Sequence, residues 1–481
     1  MPHRPLLYET VAQDLSSAIE RGALRPGDRL PSVRQLATQQ GCSVATAIQA
    51  LATLENQGWI EVRSRSGHYV RPRRALELLS PRSAKPTGGP AKVQVTSGVV
   101  ALREAMRDPE VVPLGSALLS PELLPIRQLN LHLASCAREM STAGVAYDTP
   151  PGLQTLRRQL ARRSVTWGAP LSEDDFLTTV GGMEALHLCL RAVTKPGDTV
   201  AVESPTYFGI LQLIEELGLK AVEVGCSPET GLDLGALAAT LKATPVKAIV
   251  AMPTVSNPLG AVMPEAAREE LAWLLERHDV PLIEDDVYGE LVFDGPHPRP
   301  VRDFDRHGRV LLCGSVSKTL AAGYRVGWVA PGRWQERVHR LKFSTTVATP
   351  TLPQMAVAEM LASGGYDRHL RRLRSTLKGQ VGRMREAIAQ TFPPGTRVTN
   401  PKGGFVLWVE LPPGIDGLEL QRRALEKKVA IAPGSIFSAR GAFQSCVRIS
   451  CGFPWTARVE SAITQVGALA HALLKPARRS A

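Results

Sequence analysis

The sequence predicts a multidomain chain: a short helical unit closed by a hairpin, then a large α/β domain with a mainly parallel sheet and a smaller α+β unit at its end. Three observations predict it. The chain has 481 residues, more than one ordinary core accommodates. Its first 70 residues place three helix-like segments ahead of an alternating stretch turned on a glycine. From about residue 110, apolar strand-like runs alternate with helix-like stretches, the order that builds a sheet covered by helices.

Composition narrows the classes. Hydrophobic residues at 44% and charged ones at 21% are the proportions of a globular protein with a real core. The net charge of +12 suits a polyanionic partner. The start MPHRPLLYET lacks an apolar signal core, and no run of about 18 apolar residues occurs, so export and membrane spanning are not expected and the location reads as cytoplasmic. The seven cysteines (Cys42, Cys136, Cys189, Cys226, Cys313, Cys446, Cys451) are scattered without C-x-x-C spacing, which reads as reduced thiols and no metal site.

In the first unit, Leu6, Leu7, Val11, Leu15, Ala18 and Ile19 recur at helical spacing and stop before Gly22. Ser32 caps a short helix through Gln40, and after the break at Gly41-Cys42, Ser43 caps another running to about Asn56. Two short helices about a tight turn form a helix-turn-helix. The stretch WIEVRSRSGHYV then alternates about Arg65-Ser66-Gly67, a hairpin that serves as a wing.

The blocks GALRPGDRLPSVRQLA, the S-x-x-T helix start and SGHYV together resemble the GntR-family DNA-binding domain over residues 6–71. The resemblance implies double-stranded DNA as partner, with Arg34, Ser43, Thr46, Gln49, Arg65 and Gly67 at the interface. Arg34 and Arg65 would meet phosphates, while Thr46 and Gln49 would face base edges in the major groove. Val44 departs from the pattern, standing where the family commonly carries an arginine.

A connector is expected over residues 72–109, after a DNA-binding domain over 1–71. Between residues 63 and 92, eight cations against one glutamate leave a local excess of +7 beside the reading unit, suited to phosphate contact or to a solvated spacer.

The third unit, expected over 110–470 with its smaller part from about 365, carries its chemistry at strand ends. GSVSKTLAAGYRVGW supplies Ser315, Ser317, Lys318 and Arg325; IEDDVYGEL supplies Asp285 and Tyr288; AMPTVSNPLG supplies Asn257; VESPTYFGI supplies Tyr207; and TTVGGMEALHL opens a helix at Gly182-Met183. Glu284 and Asp286 beside Asp285 read as packing and capping residues, and His278, His297 and His307 have no ligand spacing.

In this order the motifs resemble the fold type I, class I/II aminotransferases. The resemblance implies a pyridoxal-phosphate transferase fold and the cofactor pyridoxal 5'-phosphate, held as an aldimine on Lys318. Asp285 would pair with the pyridine nitrogen, Tyr288 and Asn257 would bond the phenolic oxygen, and Tyr207 would stack on the ring. Gly182, Met183, Ser315, Ser317 and Arg325 would cradle the phosphate. Gly182-Met183 departs from the Ser-Gln-like pair of relatives and so loses a side-chain donor. Tyr147, in YDTPPG, would reach a neighbouring subunit's phosphate, and Arg448, in CVRISCGFP, would clamp a substrate carboxylate; a buried structural arginine is its alternative.

The whole order resembles the MocR-type regulators within the GntR family. It implies a head-to-tail homodimer that senses an amino acid, an amine or pyridoxal phosphate itself and alters operator binding, with transaminase turnover weak or absent. An active aminotransferase with an accessory DNA-binding arm is the alternative.

Overall fold

The computed structural model describes residues 7–56, 58–63, 66–71, 78–105, 107–140 and 145–474. The first unit contains α1 (Leu7–Glu20), α2 (Val33–Gln39) and α3 (Val44–Asn56), followed by β1 (Ile60–Arg63) and β2 (Gly67–Val70). Ser32 caps α2 in a reciprocal capping box with Gln35, and the Ser43 hydroxyl accepts from Thr46 N at 3.1 Å at the start of α3. On α3, Ala47, Ala50, Leu51 and Leu54 recur at helical spacing and are buried with Val11, Leu15, Leu36, Ile60 and Val70. Truncating a side chain such as Leu51 in so small a core costs about 2–5 kcal/mol. The two strands pair antiparallel, with Arg63 opposite Gly67, whose φ of 110° suits glycine at the turn.

The large sheet is built from β3 (Ala91–Lys92), β4 (Leu177–Val180), β5 (Thr199–Ser204), β6 (Lys220–Ser227), β7 (Gly231–Leu232), β8 (Val246–Ala251), β9 (Leu282–Asp285), β10 (Val310–Ser315) and β11 (Val326–Ala330). Its order is β3-β6-β5-β8-β9-β10-β11-β4, with β7 on the edge of β6. The β6-β5-β8-β9-β10 stretch is parallel, as the alternating pattern predicts, and β11 and β4 close one side antiparallel. These strands are buried along almost their whole length, so they read as continuous apolar runs.

The smaller sheet has the order β12 (Arg397–Val398), β13 (Val406–Glu410), β15 (Cys446–Ser450), β14 (Ala432–Pro433), all antiparallel. It contains more than the C-terminal stretch from about 365 that the sequence points to. Residues 112–114 join it from far upstream: Val112 N donates to Lys428 O at 2.8 Å, and Ser450 N donates to Leu114 O at 2.7 Å. Such long-range pairing leaves no periodic mark in a short segment.

The expected connector also differs from a free spacer over its described part. The β3 strand pairs with β6, and the helix Thr96–Ala105 follows, its start tied to Glu215 Oε2 by Val95 N, Thr96 N and the Thr96 hydroxyl. Short extended stretches whose hydrogen bonds go to a distant strand carry turn-like composition, and this one reads as loop for that reason.

Candidate functional site

The ends of β8, β9 and β10 and the loop before β11 converge on one cavity of about 170 Å³. Lining it are Gly182, Met183, Tyr207, Asn257, Asp285, Tyr288, Ser315, Ser317, Lys318 and Arg325, together with Leu118 and Val287. The structure thus brings together ten of the residues singled out by the motifs. Arg448 stands behind this lining, linked to it through Asn257, and Tyr147 does not reach it: its side chain is 79% exposed on the surface of the chain.

Each side chain has a local reason for its place. Lys318 ends a short turn after β10, and its Nζ donates to Ala117 O at 2.7 Å. Burial, helped by Arg448 and Arg325 and opposed by Asp285, lowers its ammonium to about 8. An amine in that range is partly neutral near physiological pH and therefore nucleophilic. Asp285 ends β9 and receives Val287 N at 3.2 Å; burial raises its carboxyl to about 7, the Val287 donation only partly offsetting this. Such a carboxyl gains most from a cationic partner in the cavity.

The phosphate end of the cavity is set by backbone. Gly181 has a φ of 76°, and a Cβ there would lie 2.2 Å from Arg325 Nη2, so glycine lets the guanidinium lie against the opening of the helix Gly182–Val193. Arg325 itself holds a φ of 54°, a strained conformation for a residue with a side chain, costing about 1–3 kcal/mol. Its Nη2 donates to Val180 O at 3.1 Å and its Nη1 to Ala322 O at 3.2 Å. The Ser315 hydroxyl donates to Val326 O at 2.9 Å, which makes Ser317 the donor in the 2.8 Å contact between the two hydroxyls. Free helix N–H groups and a guanidinium make an anion cradle, and rotation about its own C–O bond lets the Ser317 hydroxyl donate into it.

Two unpartnered groups test what the cavity is made to hold. The Tyr288 hydroxyl is buried beside Asn257 without a well-formed hydrogen bond, Asn257 spending Oδ1 on Arg448 Nη1 at 3.1 Å; burial raises the phenol, with Arg448 and the nearby Asn257 opposing it. Arg448 is completely buried on β15, its Nη2 donating to Gly115 O at 2.6 Å and its Nε to nothing. Its guanidinium lies 5.0 Å from the Phe437 ring centre, and burial lowers it to about 10. Among the described residues no carboxylate accepts from it. Lys318 and Arg325 line a cavity whose lining carries one carboxyl, Asp285, with Arg448 behind it, an arrangement that fits a ligand carrying a phosphate and a carboxylate.

Around the site, three groups escaped a functional reading from sequence. Glu184, in the first turn of the helix Gly182–Val193, accepts from Val180 N at 2.6 Å and from Lys342 Nζ at 2.7 Å, fixing the helix start. His297 Nε2 lies 2.8 Å from Asp286 Oδ2; burial opposes its charge, and the carboxylate outweighs it to raise the imidazole. Glu203 is fully buried, with one oxygen on Met252 N and the other unpartnered, and is raised to about 7 by burial. Glu284 caps as expected, accepting from Val301 N and Arg302 N.

On the first unit, Arg34 and Gln49 are exposed, while Thr46 is half-buried with its hydroxyl 2.9 Å from that of Ser43. Both hydroxyls therefore serve the cap of α3 before anything else. The exposed face of α3 also presents Val44 and Ile48, at 48% and 53%, apolar residues that the sequence does not mark as readers. Gly67 sits at the wing turn, and Arg65 lies outside the described residues. No helix among the described residues is long and apolar enough to cross a membrane.

Comparisons with known proteins agree with this architecture. Residues 130–465 match the model of aminotransferase class I and II, and residues 7–70 match that of the bacterial regulatory proteins of the gntR family. The HTH-type transcriptional regulator YjiR of Escherichia coli (strain K12) is 38% identical over 96% of this chain and 98% of its own. YdfD of Bacillus subtilis (strain 168), likewise an HTH-type transcriptional regulator, is 28% identical over 96% and 95%. The kynurenine aminotransferase of Pyrococcus horikoshii superposes with a TM-score of 0.73 at 29% identity, covering 79% of this chain and 95% of that one. LysN of Thermus thermophilus, an α-aminoadipate aminotransferase complexed with N-(5'-phosphopyridoxyl)-L-leucine, gives 0.72 at 28%, covering 79% and 97%. The cofactor that this fold and this pocket imply is pyridoxal phosphate. With a gntR-type DNA-binding unit joined to a class I and II aminotransferase domain, and relatives matched end to end, the chain belongs to the MocR-type transcriptional regulators of the GntR family.

Proposed function

We propose that this regulator senses an amine-bearing small molecule through pyridoxal phosphate attached to Lys318, and that occupancy of this pocket sets its grip on an operator. The observation that carries the reading is the convergence of Lys318, Asp285 and the unpartnered Tyr288 hydroxyl in one cavity. Bound there, pyridoxal phosphate supplies an electrophilic aldehyde on an electron-withdrawing ring. Lys318, partly neutral, would be the amine that holds the aldehyde, Asp285 would pair with the ring nitrogen, and the Tyr288 hydroxyl would donate to the phenolic oxygen. Tyr207 would cover a ring face, and the opening of the helix Gly182–Val193 with Ser317 and Arg325 would receive the phosphate.

Arg448 is assigned to the carboxylate of an amino-acid effector, because a buried guanidinium without a carboxylate partner suits a bidentate anion. Arg34, the α3 face and the wing are assigned to DNA. The chain works in the cytoplasm as a head-to-tail homodimer, in which the exposed Tyr147 is available to a second copy.

The test is reductive trapping. Borohydride treatment of cofactor-loaded protein, followed by peptide mass spectrometry, is expected to place a pyridoxyl group on Lys318. An adduct elsewhere, or none at saturation, overturns the assignment. Multiple turnovers of an amino acid to its keto acid at about 1–1000 per second would instead make the chain an enzyme.

A further inference from the structure

The segment from Leu79 to Lys92 lies across both units of the large domain. At its start it is bonded to the smaller sheet. Leu79 O accepts from Val398 N of β12 at 2.9 Å, Ser80 O accepts from Arg397 Nη1 at 3.1 Å, and Arg82 N donates to Glu410 Oε2 of β13 at 2.8 Å. The Arg82 guanidinium adds a second contact to the same carboxylate, Nε to Oε1 at 3.7 Å. Two residues on, the segment has crossed to the large sheet. Ala84 N donates to Cys226 O at 3.0 Å, and a Cβ on Gly225 would stand 2.3 Å from Ala84 O, so the segment presses on β6 where only glycine allows it. Ala91 and Lys92 then pair with Ala221 and Lys220.

The sheet that holds the start of this segment also holds Arg448. In register, Arg448 of β15 lies opposite Trp408 of β13, and Glu410 lies two residues further along that strand. Val409 of β13 in turn pairs with Val398 of β12. A hydrogen-bonded sheet moves as a body, so a displacement of β15 is carried to β12 and Glu410 and from there to Leu79 and Arg82. The segment cannot follow that displacement and keep all its bonds to β6. Upstream, eight residues separate Val70, which ends the wing, from Leu79, a reach of about 30 Å at full extension.

We infer that residues 79–86 are a strap that reports the position of the smaller sheet to the DNA-reading unit, with Glu410 as its anchor. The inference rests on the reading of Lys318 and Arg448 as the effector site. An effector carboxylate drawn to Arg448 shifts the smaller sheet against the larger one, and the strap carries the shift towards the wing.

The test compares two ligands of the full-length protein freed of cofactor: N-(5'-phosphopyridoxyl)glycine, which carries a carboxylate, and pyridoxamine phosphate, which does not. DNA is a duplex selected from a random pool by the wild-type chain. The glycine adduct is expected to change hydrogen exchange at the Arg82, Ala84 and Val398 amides and to change duplex affinity by about fivefold or more relative to pyridoxamine phosphate. Glu410→Ala should bind both ligands and the duplex as wild type does, yet respond by less than about twofold. Glu410→Gln, which keeps an oxygen for Arg82 N, should retain most of the response. A Glu410→Ala chain that responds like wild type, or strap amides that exchange identically with either ligand, overturns the strap. Failure of both ligands to bind, followed by pyridine fluorescence, overturns the pocket reading itself and the strap with it.

Discussion

The DNA-reading unit and the lysine pocket present the groups proposed to work in them in opposite ways. Arg34, Gln49 and Ile48 stand exposed on α2 and α3, their backbone held by caps and by a small apolar core beneath. In the pocket, Asp285, Tyr288 and Arg448 are buried, and two of them keep polar atoms without partners. The first surface costs the fold little and gains its affinity from a partner's charge. The second holds desolvated groups in readiness, which costs stability until a ligand pairs them. Removing a surface reader should therefore weaken binding and leave the fold as it was, whereas removing a pocket group should change binding and stability in opposite senses.

The largest expected effect is at Lys318. Lys318→Ala should abolish covalent attachment of the cofactor completely while the thermal midpoint of the apo protein holds or rises, because a buried amine has gone. A loss of fold in circular dichroism would break the contrast. In the wild type, the rate of attachment should climb with pH and level off above about 8, the range to which burial lowers the amine. A climb that continues to the ordinary lysine range near 10.4 would show a solvated lysine.

Arg448 sharpens the comparison next. Arg448→Gln should keep the cofactor and the basal affinity for DNA while losing about 10- to 100-fold in response to carboxylate effectors. Arg448→Met should do the same without lowering the midpoint, since replacing a buried unpaired charge by an apolar chain is often neutral or stabilising. A fall of many degrees in the methionine variant would mark a structural arginine.

The pH dependence of apo stability is the third expectation. Asp285, Glu203 and Glu284 are each raised by burial to about 7, so the folded state holds more protons than the unfolded one between the ordinary carboxylate range and that value. Stability from these groups is complete at low pH within that window and falls as pH rises towards 7. Thermal scans from pH 5 to 8 should show the decline, and Asp285→Asn should make it shallower. Cofactor loading should also make it shallower, because a ring cation favours the Asp285 carboxylate. An identical slope in the variant would show that Asp285 is solvated.

On the reading unit the effects are smaller. Arg34→Ala should reduce the log-log salt slope of DNA binding by about one unit without altering thermal stability. Ile48→Ala should cost about 1 kcal/mol or less, confined to duplexes that place a thymine methyl under α3. If Ile48→Ala weakens all sequences equally, its side chain supports the helix and does not read.

The sequence by itself determined the fold classes, the family and the cofactor. Helical spacing and Ser32 and Ser43 as caps marked the helices of the first unit, and apolar runs ended by Asp285 and Ser315, with Asn257 in the loop after a third, marked strands that deliver side chains to one edge of a sheet. These signals are local: a cap, a period or a motif is complete within a few residues, so it survives in the linear order. Tertiary structure alone decided what required distant segments to meet. It put residues 112–114 into the smaller sheet, laid the expected connector across β12 and β6, tied the Thr46 hydroxyl to a cap, and left Arg448 without a carboxylate among the described residues. Whether a buried charge finds a counter-ion, or an extended stretch finds a strand edge, is settled by residues hundreds of positions away, and no local pattern encodes it.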